Sequence, residues 1–554
     1  TEHMEFADQL AGYVESEHPE FLVNKLYYDA YKKDMTAGTY PDVRSGLQKL
    51  LKDGLLLFNY TGHGGTTALS DEKVLTQTDI NQFTYTHLPV WVTATCDFTR
   101  FDDLNTSAGE DVFLNKSSGG IALFTTVRVA YSRPNFPIND NVIRNLFERN
   151  NGRRRTLGEV MQATKNTLSS VYKLGFCLIG DPAVKMAYPE FGMKVTTVNG
   201  QSVDGNSISF KALEKITVEG EVLDASGQLV TDFTGIVNPT VKDSKVTVTC
   251  LKNSNKDDSP AFTFTDYPNT IFIGNDSVRN GKFSFTFTVP KDISYSNLQG
   301  KMNLYAVDTE SGNEAQGNFD NFIVGGTSDT AETDTIGPEI RALYLNDTTF
   351  VDGGQVNTTP YFVAELWDKS GVNITGSSVG HDMMLVIDES TVLSYNLNSY
   401  YELLLGEDGT GIVKFPIPAL EPGKHTAEFW VWDILNNSTV RTFTFEVVEG
   451  LKPFLFDVIA TPGIAREQVT FHLMHNRPES RMRVGIMVYD LAGRQLWKHE
   501  ESGTSGLFEN YTVSWDLTSG GARMRPGVYI YRAAISTDNS KDATKARKFI
   551  ILGE

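Results

Sequence analysis

Two residues able to do nucleophilic chemistry stand near the start of the chain. His63 lies in the run Asn59-Tyr60-Thr61-Gly62-His63-Gly64-Gly65, and Cys96 closes Thr93-Ala94-Thr95-Cys96. A thiolate is the nucleophile of cysteine chemistry. A nearby imidazole lowers the thiol's pKa and later protonates the leaving amine. Glycines beside the histidine let the backbone approach a substrate closely, so the Gly64 N–H with the Cys96 N–H forms a candidate oxyanion pair. The bland alternatives are a turn histidine and a buried strand-end thiol. The separation, 96 − 63 = 33 residues, suits one strand-to-strand crossover with Val74–Phe83 as its connecting segment. Such a crossover brings both side chains to one sheet edge.

The elements that must position this pair are legible in the apolar pattern. Leu55–Tyr60, Pro89–Cys96, Gly119–Val127 and Phe176–Gly180 are short, nearly continuous apolar runs. Runs of this kind are expected of a mostly parallel sheet covered on both faces. Glu5–Val14 and Asp42–Gly54 read as helices. Ser107 with Glu110 and Thr156 with Glu159 have the spacing of capping boxes that start two more. Residues 1–188 therefore read as an α/β domain. From about residue 190 the chain alternates apolar and polar residues between Gly, Asn and Asp turns, the pattern of antiparallel sandwiches. A polar stretch at 325–340 and a break near 447–454 divide this part into sandwiches at 189–326, 334–449 and 453–554.

The 554 residues carry a net charge of −20. Residues 451–554 have 14 basic against 11 acidic side chains, so the other 450 residues hold −23. No long basic stripe is present, which argues against nucleic acid; Arg153-Arg154-Arg155 reads as a solvated turn. No apolar run reaches the ~18–20 residues needed to span a bilayer. The first residues have neither a basic n-region nor an apolar h-region, so any signal peptide is expected outside this sequence. Cys96, Cys177 and Cys250 have no paired spacing and suggest neither zinc nor a disulfide framework. Cys177 and Cys250 read as core residues, leaving Cys96 as the reactive thiol. Glu110 and Asp111 follow Cys96 closely, but Glu110 has its capping role. His472 and His475, three apart in a strand, point to opposite faces and do not share a metal. Asp308, Asp368 and Asp433 end strands near turns, where turn capping is favoured over calcium. No cofactor is expected, and structural calcium is not assignable from the sequence.

The motifs Asn59–Gly65 and Val92–Phe98, followed by Gly119–Phe136 and Phe176–Met186, resemble in order those of gingipain-type cysteine peptidases, in the same broad clan as caspases. The resemblance implies a caspase/gingipain-like α/β domain, incomplete at its N-terminal side, followed by three Ig-like β-sandwich domains. It implies Cys96 as nucleophile, His63 as general base, and Gly64 with Cys96 as oxyanion donors. Tyr131, Val127 and Arg128, in the loop after the third strand, are then expected to line the substrate pocket. A third catalytic acid is not assignable in this sequence.

Trp367–Gly376, Asn398–Gly411 and Lys424–Thr439 resemble the sandwich of the signal peptidase of type IX secretion. Val484–Glu500 and Arg525–Arg532 resemble the C-terminal signal domain of that pathway's cargo. These resemblances imply a cell-surface, outer-membrane-associated enzyme. It would cleave cargo C-terminal signal domains through a thioester and pass the cargo to an amine of anionic lipopolysaccharide. Its implied partners are those signal domains, the lipopolysaccharide, and a PorV-like outer-membrane barrel of the attachment complex. A gingipain-like peptidase that is itself cargo, and a non-catalytic surface scaffold, are the alternatives. A loop carrying Tyr131 could also hold the site latent until a partner binds.

Overall fold

The computed structural model describes all residues except 1, 117, 151, 254–259, 330–333, 377–379, 405–408, 538 and 553–554. Its contacts divide the chain into two compact units. One comprises residues 1–211, 215–287 and 294–326; the other comprises 212–214, 288–293 and 327–554.

The first unit opens with helix α1 (Glu2–Glu17) and helix α2 (Pro41–Asp53). Pro41 starts α2 where no N–H partner is needed, and Gly54 stops it at φ 101°, a conformation open to glycine. Strands β1 (Leu57–Thr61), β2 (Val90–Ala94) and β3 (Ala122–Thr126) follow in parallel register, with Thr61 opposite Ala94 and Thr93 opposite Thr125. Strand β4 (Phe176–Ile179) closes the sheet antiparallel to β3, giving the order β1-β2-β3-β4. The expected runs are therefore strands, with ends within three residues of those expected, in a mixed sheet. Helices α3 (Gln77–Gln82), α4 (Ala108–Leu114), α5 (Ser132–Phe147) and α6 (Leu157–Thr167) connect and cover them. Both capping boxes form: the Glu110 carboxylate accepts from the Ser107 N–H at 2.8 Å, and Glu159 from the Thr156 N–H at 2.9 Å. Strands β2 and β3 are buried at every position, and apolar clusters pack on the two faces of the sheet. That double cover is why these runs do not alternate.

The same unit contains the first sandwich, whose strands alternate buried and exposed residues, as in Lys282–Thr288. Phe210 stacks on Phe322 at 4.2 Å in its core. Lys25, 7% exposed, ties α1 to this sandwich: its ammonium donates to Asp8 (3.0 Å), Glu15 (3.2 Å) and the Thr265 carbonyl (2.8 Å). Burial of a charge at this depth requires such pairing.

In the second unit a four-stranded and a five-stranded sheet enclose Phe362, Phe429 and Phe443, and a three-stranded and a five-stranded sheet enclose Phe471, Tyr531 and Phe549. The aspartates expected to cap turns do so. Asp308, in the first sandwich, accepts from the N–H groups of Thr234, Glu310 and Ser311. Asp368 and Asp433 likewise accept turn N–H groups in the second unit. Asp334, Asp368 and Asp433 also bring carboxylate oxygens within 4.8 Å of one another. Burial first, and then the neighbouring Asp368 charge, push the Asp433 carboxyl above its usual range. Among the described residues no helix is long and apolar enough to cross a membrane.

Candidate active site

The β1–β2 pairing carries His63 and Cys96 to the same carboxyl edge, each two residues past its strand. The backbone of His63 is pinned. Its carbonyl accepts from the Tyr60 hydroxyl at 2.6 Å and from the Ser70 N–H at 2.8 Å. The imidazole is exposed, and its ring neighbour is His3 of α1, edge-on with centroids 4.9 Å apart. Burial, and then the His63 charge, hold the His3 ring below the usual histidine pKa.

Cys96 is half-buried. Its thiol donates to the Ala130 carbonyl at 3.1 Å, and its Sγ accepts from the Ala130 N–H at 3.5 Å. No hydrogen bond joins Cys96 to His63. The loop after β3 thus clasps the Cys96 thiol through Ala130.

Gly64 sits where only glycine fits. A Cβ there meets Thr95 Oγ1 at 2.4 Å and the Ala68 carbonyl at 3.3 Å. Among the described residues, the N–H groups of Gly64 and Cys96 form none of the loop hydrogen bonds at this edge. Asp97, next to Cys96, is held in the left-handed region at φ 49°. Buried side-chain atoms without partners gather around the same edge: His3 Nδ1, Thr95 Oγ1, Asp97 Oδ1, Thr126 Oγ1 and Asn135 Oδ1. Strained backbone and unsatisfied buried polar atoms concentrate at functional sites.

The three residues expected to line a pocket divide. Tyr131 is 66% exposed and meets Tyr172 edge-on at 6.0 Å, presenting an aromatic face at the start of α5. Arg128 is exposed, and its guanidinium grips Asp102 with bonds of 3.0 and 2.6 Å. That pairing raises the Arg128 pKa and lowers that of Asp102. Val127 is buried, with its N–H bonded to the Gly175 carbonyl, so its side chain offers a substrate no surface in this conformation. Cys177, read from the sequence as core, is half-buried, because β4 is an edge strand. Cys250 is buried against Tyr27 and Phe264 as expected. Sequence reasoning missed His3 and Asn135. Neither belongs to a motif, and only the packing of α1 and α5 brings them here.

Residues 1–187 match the model of peptidase family C25. No curated protein matches the chain. Among solved structures, dimeric latent PorU from Porphyromonas gingivalis is 36% identical, over 79% of this chain and 41% of that one, with a TM-score of 0.33. The Arg-specific cysteine proteinase gingipain R is 19% identical, over 51% of this chain and 56% of that one, with a TM-score of 0.25. The chain spans about two fifths of the length of the PorU it matches. Through residues 1–187, the chain belongs to peptidase family C25, the gingipain family of cysteine peptidases.

Proposed function

We propose that the chain is the cysteine peptidase and transpeptidase of a cell-surface, type IX secretion pathway. On this reading it cleaves C-terminal signal domains from cargo and transfers the cargo to an amine of anionic lipopolysaccharide. The observation that carries the chemistry is the arrival of His63 and Cys96 at one sheet edge on adjacent parallel strands, beside the free N–H groups of Gly64 and Cys96. His63 takes the Cys96 proton, and the thiolate attacks the carbonyl before the signal domain. The oxyanion is held by the two N–H groups. Collapse forms the thioester and breaks the peptide bond, with the imidazolium proton going to the leaving amine. An acceptor amine then attacks the thioester and releases Cys96, giving the new amide.

The Ala130 clasp makes the resting site latent. The Val127–Tyr131 loop must release Sγ before His63 can engage it, and loop movements of this kind commonly complete a catalytic site. Tyr131 and Arg128 then border the substrate. A PorV-like barrel is the expected outer-membrane partner, and no cofactor enters the reaction.

The test is cargo processing in cells expressing Cys96→Ala. Unprocessed cargo retaining its signal domain, and absent from the lipopolysaccharide-linked fraction, is expected; normal processing rules the reading out. Mass spectrometry of the mature chain separates the cargo alternative, which predicts loss of residues 453–554.

A further inference from the structure

The short turn that leads into β4 inverts ordinary surface chemistry. In Val171-Tyr172-Lys173-Leu174-Gly175 the apolar side chains meet solvent and the cation is withdrawn. Val171 is 73% and Leu174 69% exposed, Tyr172 is exposed, and Lys173 is half-buried. The Lys173 ammonium turns back to donate to the carbonyls of Lys165 (2.7 Å) and Leu168 at the end of α6. Carbonyls at a helix end have no partner within the helix, so these bonds satisfy them and brace the turn. Ser170 Oγ braces it further, accepting from the Tyr172 N–H at 3.3 Å. Exposed apolar residues scattered singly need no explanation, but several together on a braced segment mark a contact surface.

Strand order sets this turn beside the nucleophile. Strand β4 runs antiparallel to β3, with Phe176 opposite Thr126, so its start lies at the carboxyl edge that bears Cys96. The Gly175 carbonyl accepts from the Val127 N–H at 2.9 Å, and Tyr172 meets Tyr131 edge-on at 6.0 Å. The turn therefore joins the Val127–Tyr131 loop, whose Ala130 holds the Cys96 thiol and whose Val129 is also exposed. In the order β1-β2-β3-β4, His63 and this surface fall on opposite sides of Cys96. On the peptidase reading His63 protonates the leaving amine. The leaving chain then lies toward β1, and the acyl chain toward β3 and β4. Neighbouring strands are about 4.8 Å apart, which puts β4 about 10 Å from the strand of Cys96. Two residues of extended chain cover about 6.6 Å of that distance, and a side chain the remainder.

We propose that Tyr172 and Leu174, with Tyr131, form a specificity surface for an apolar side chain of the substrate's acyl segment. That side chain belongs to the third residue back, counting the residue at the broken bond as the first. The inference rests on the peptidase reading and deepens it by naming a side-chain class that the site selects. Among the described residues of the turn and loop, both cations are engaged: Lys173 by α6, and Arg128 by Asp102. An aspartate or lysine arriving there loses water without gaining a partner. A leucine or phenylalanine instead buries apolar area against the two tyrosine rings and Leu174. Continuity with the loop at Cys96 makes the substrate the occupant rather than a separate partner.

The experiment compares two peptide chloromethyl ketones, built on acetyl-Leu-Ala-Ala and acetyl-Asp-Ala-Ala, as alkylating agents of Cys96 in the full chain. Each rate is divided by that of iodoacetamide on the same chain, and peptide mass spectrometry separates Cys96 from Cys177 and Cys250. The leucine reagent is expected to react at least about tenfold faster than the aspartate reagent. Leu174→Asp is expected to bring the two within about twofold, Tyr172→Ala to lower the preference severalfold, and Leu174→Ile to keep it. Equal rates in wild type overturn the proposal, as does a preference that survives both Leu174→Asp and Tyr172→Ala. Equal rates together with a dimer, seen by sedimentation, that Leu174→Asp dissociates overturn it in favour of a second copy of the chain. The peptidase reading survives any of these if iodoacetamide labels Cys96 faster in wild type than in His63→Ala near neutral pH. Cys96 labelled equally fast in both, or labelled by no reagent in wild type and in Asp102→Ala, removes that reading and this one with it.

Discussion

The carboxyl edge of the peptidase sheet and the strand ends of the last two sandwiches are built from similar residues and treated in opposite ways. In the sandwiches, Asp368 Oδ1 accepts from the Ser370 N–H at 2.8 Å and the Gly371 N–H at 3.0 Å, and Asp433 takes the N–H groups of Leu435 and Asn437. His475 uses both ring nitrogens. Nδ1 accepts from the Arg477 N–H at 3.1 Å, so Nε2 carries the proton toward Ser505 Oγ at 2.7 Å. At the peptidase edge, His63 is exposed with a free ring, Asp97 is strained, and Thr95, Thr126 and Asn135 each hold a buried oxygen without a partner. The capping groups at the sandwich strand ends close their hydrogen bonds, because an unsatisfied buried group costs about 1–3 kcal/mol, although Asn436 Oδ1 in the Asp433 turn is buried without a partner. The peptidase edge leaves several of them open, as the proposed reaction requires.

The largest effect that could break this contrast is catalytic. Cys96→Ala and His63→Ala are each expected to lower peptidase kcat by at least ~10³-fold, with substrate binding little changed. His475→Asn, at a strand end that is closed, is expected to leave kcat within about twofold. A His63→Ala loss below tenfold in a peptide-hydrolysis assay shows that the free ring is not the base.

The satisfied histidine has its own signature in pH. Burial, and then the Arg477 charge, lower the His475 pKa to about 4. The folded value lies below the unfolded one of ~6.5. Stability from the neutral ring is therefore complete above pH ~6.5 and is lost as pH falls toward 4, on the order of 3 kcal/mol in all. Hydrogen exchange of the strand Val469–His475 in the full chain is expected to accelerate across this window, and His475→Asn to flatten the dependence. A strand equally protected at pH 7 and pH 4 contradicts the buried neutral ring.

Gly64 tests the edge at smaller scale. Gly64→Ala places a Cβ against Thr95 Oγ1 and is expected to reduce kcat by roughly 10–100-fold by displacing an oxyanion donor. Because the closest obstacle is the Thr95 side chain, adding Thr95→Ala is expected to restore most of the rate. Failure of that rescue in the double variant moves the cause from the clash to the alanine itself.

Much of this was legible in the sequence, for physical reasons. Strands buried on both faces appear as unbroken apolar runs, and the 33-residue spacing of His63 and Cys96 is what a parallel crossover requires. The capping pairs at Ser107 and Thr156 are local and were readable as such. The status of Val127 and Cys177 was not. Val127 is buried where the β3–β4 pairing runs on to Gly175, and Cys177 is opened by the edge position of β4, both consequences of strand order. His3 and Asn135 reach the edge through helix packing between residues 132 apart, which no periodicity records. Nor does any motif specify that the Cys96 thiol rests against Ala130.

The smallest expected effect concerns that clasp. Arg128 grips Asp102 with its two terminal guanidinium nitrogens, and its own carbonyl accepts from the Asp97 N–H at 3.3 Å, so the pair braces the loop two residues before Ala130. Both side chains are about half exposed, so the ion pair itself contributes little to stability. Its effect is expected in the loop instead. Asp102→Ala should leave the melting temperature unchanged while raising the rate of Cys96 alkylation at pH 8 severalfold, because a looser loop releases Sγ from Ala130 more often. Unchanged alkylation would assign the clasp to the two Ala130 bonds alone. A severalfold rise, with Cys177 labelling constant, would show that the open edge is kept quiet by a surface ion pair rather than by hydrogen bonds of its own.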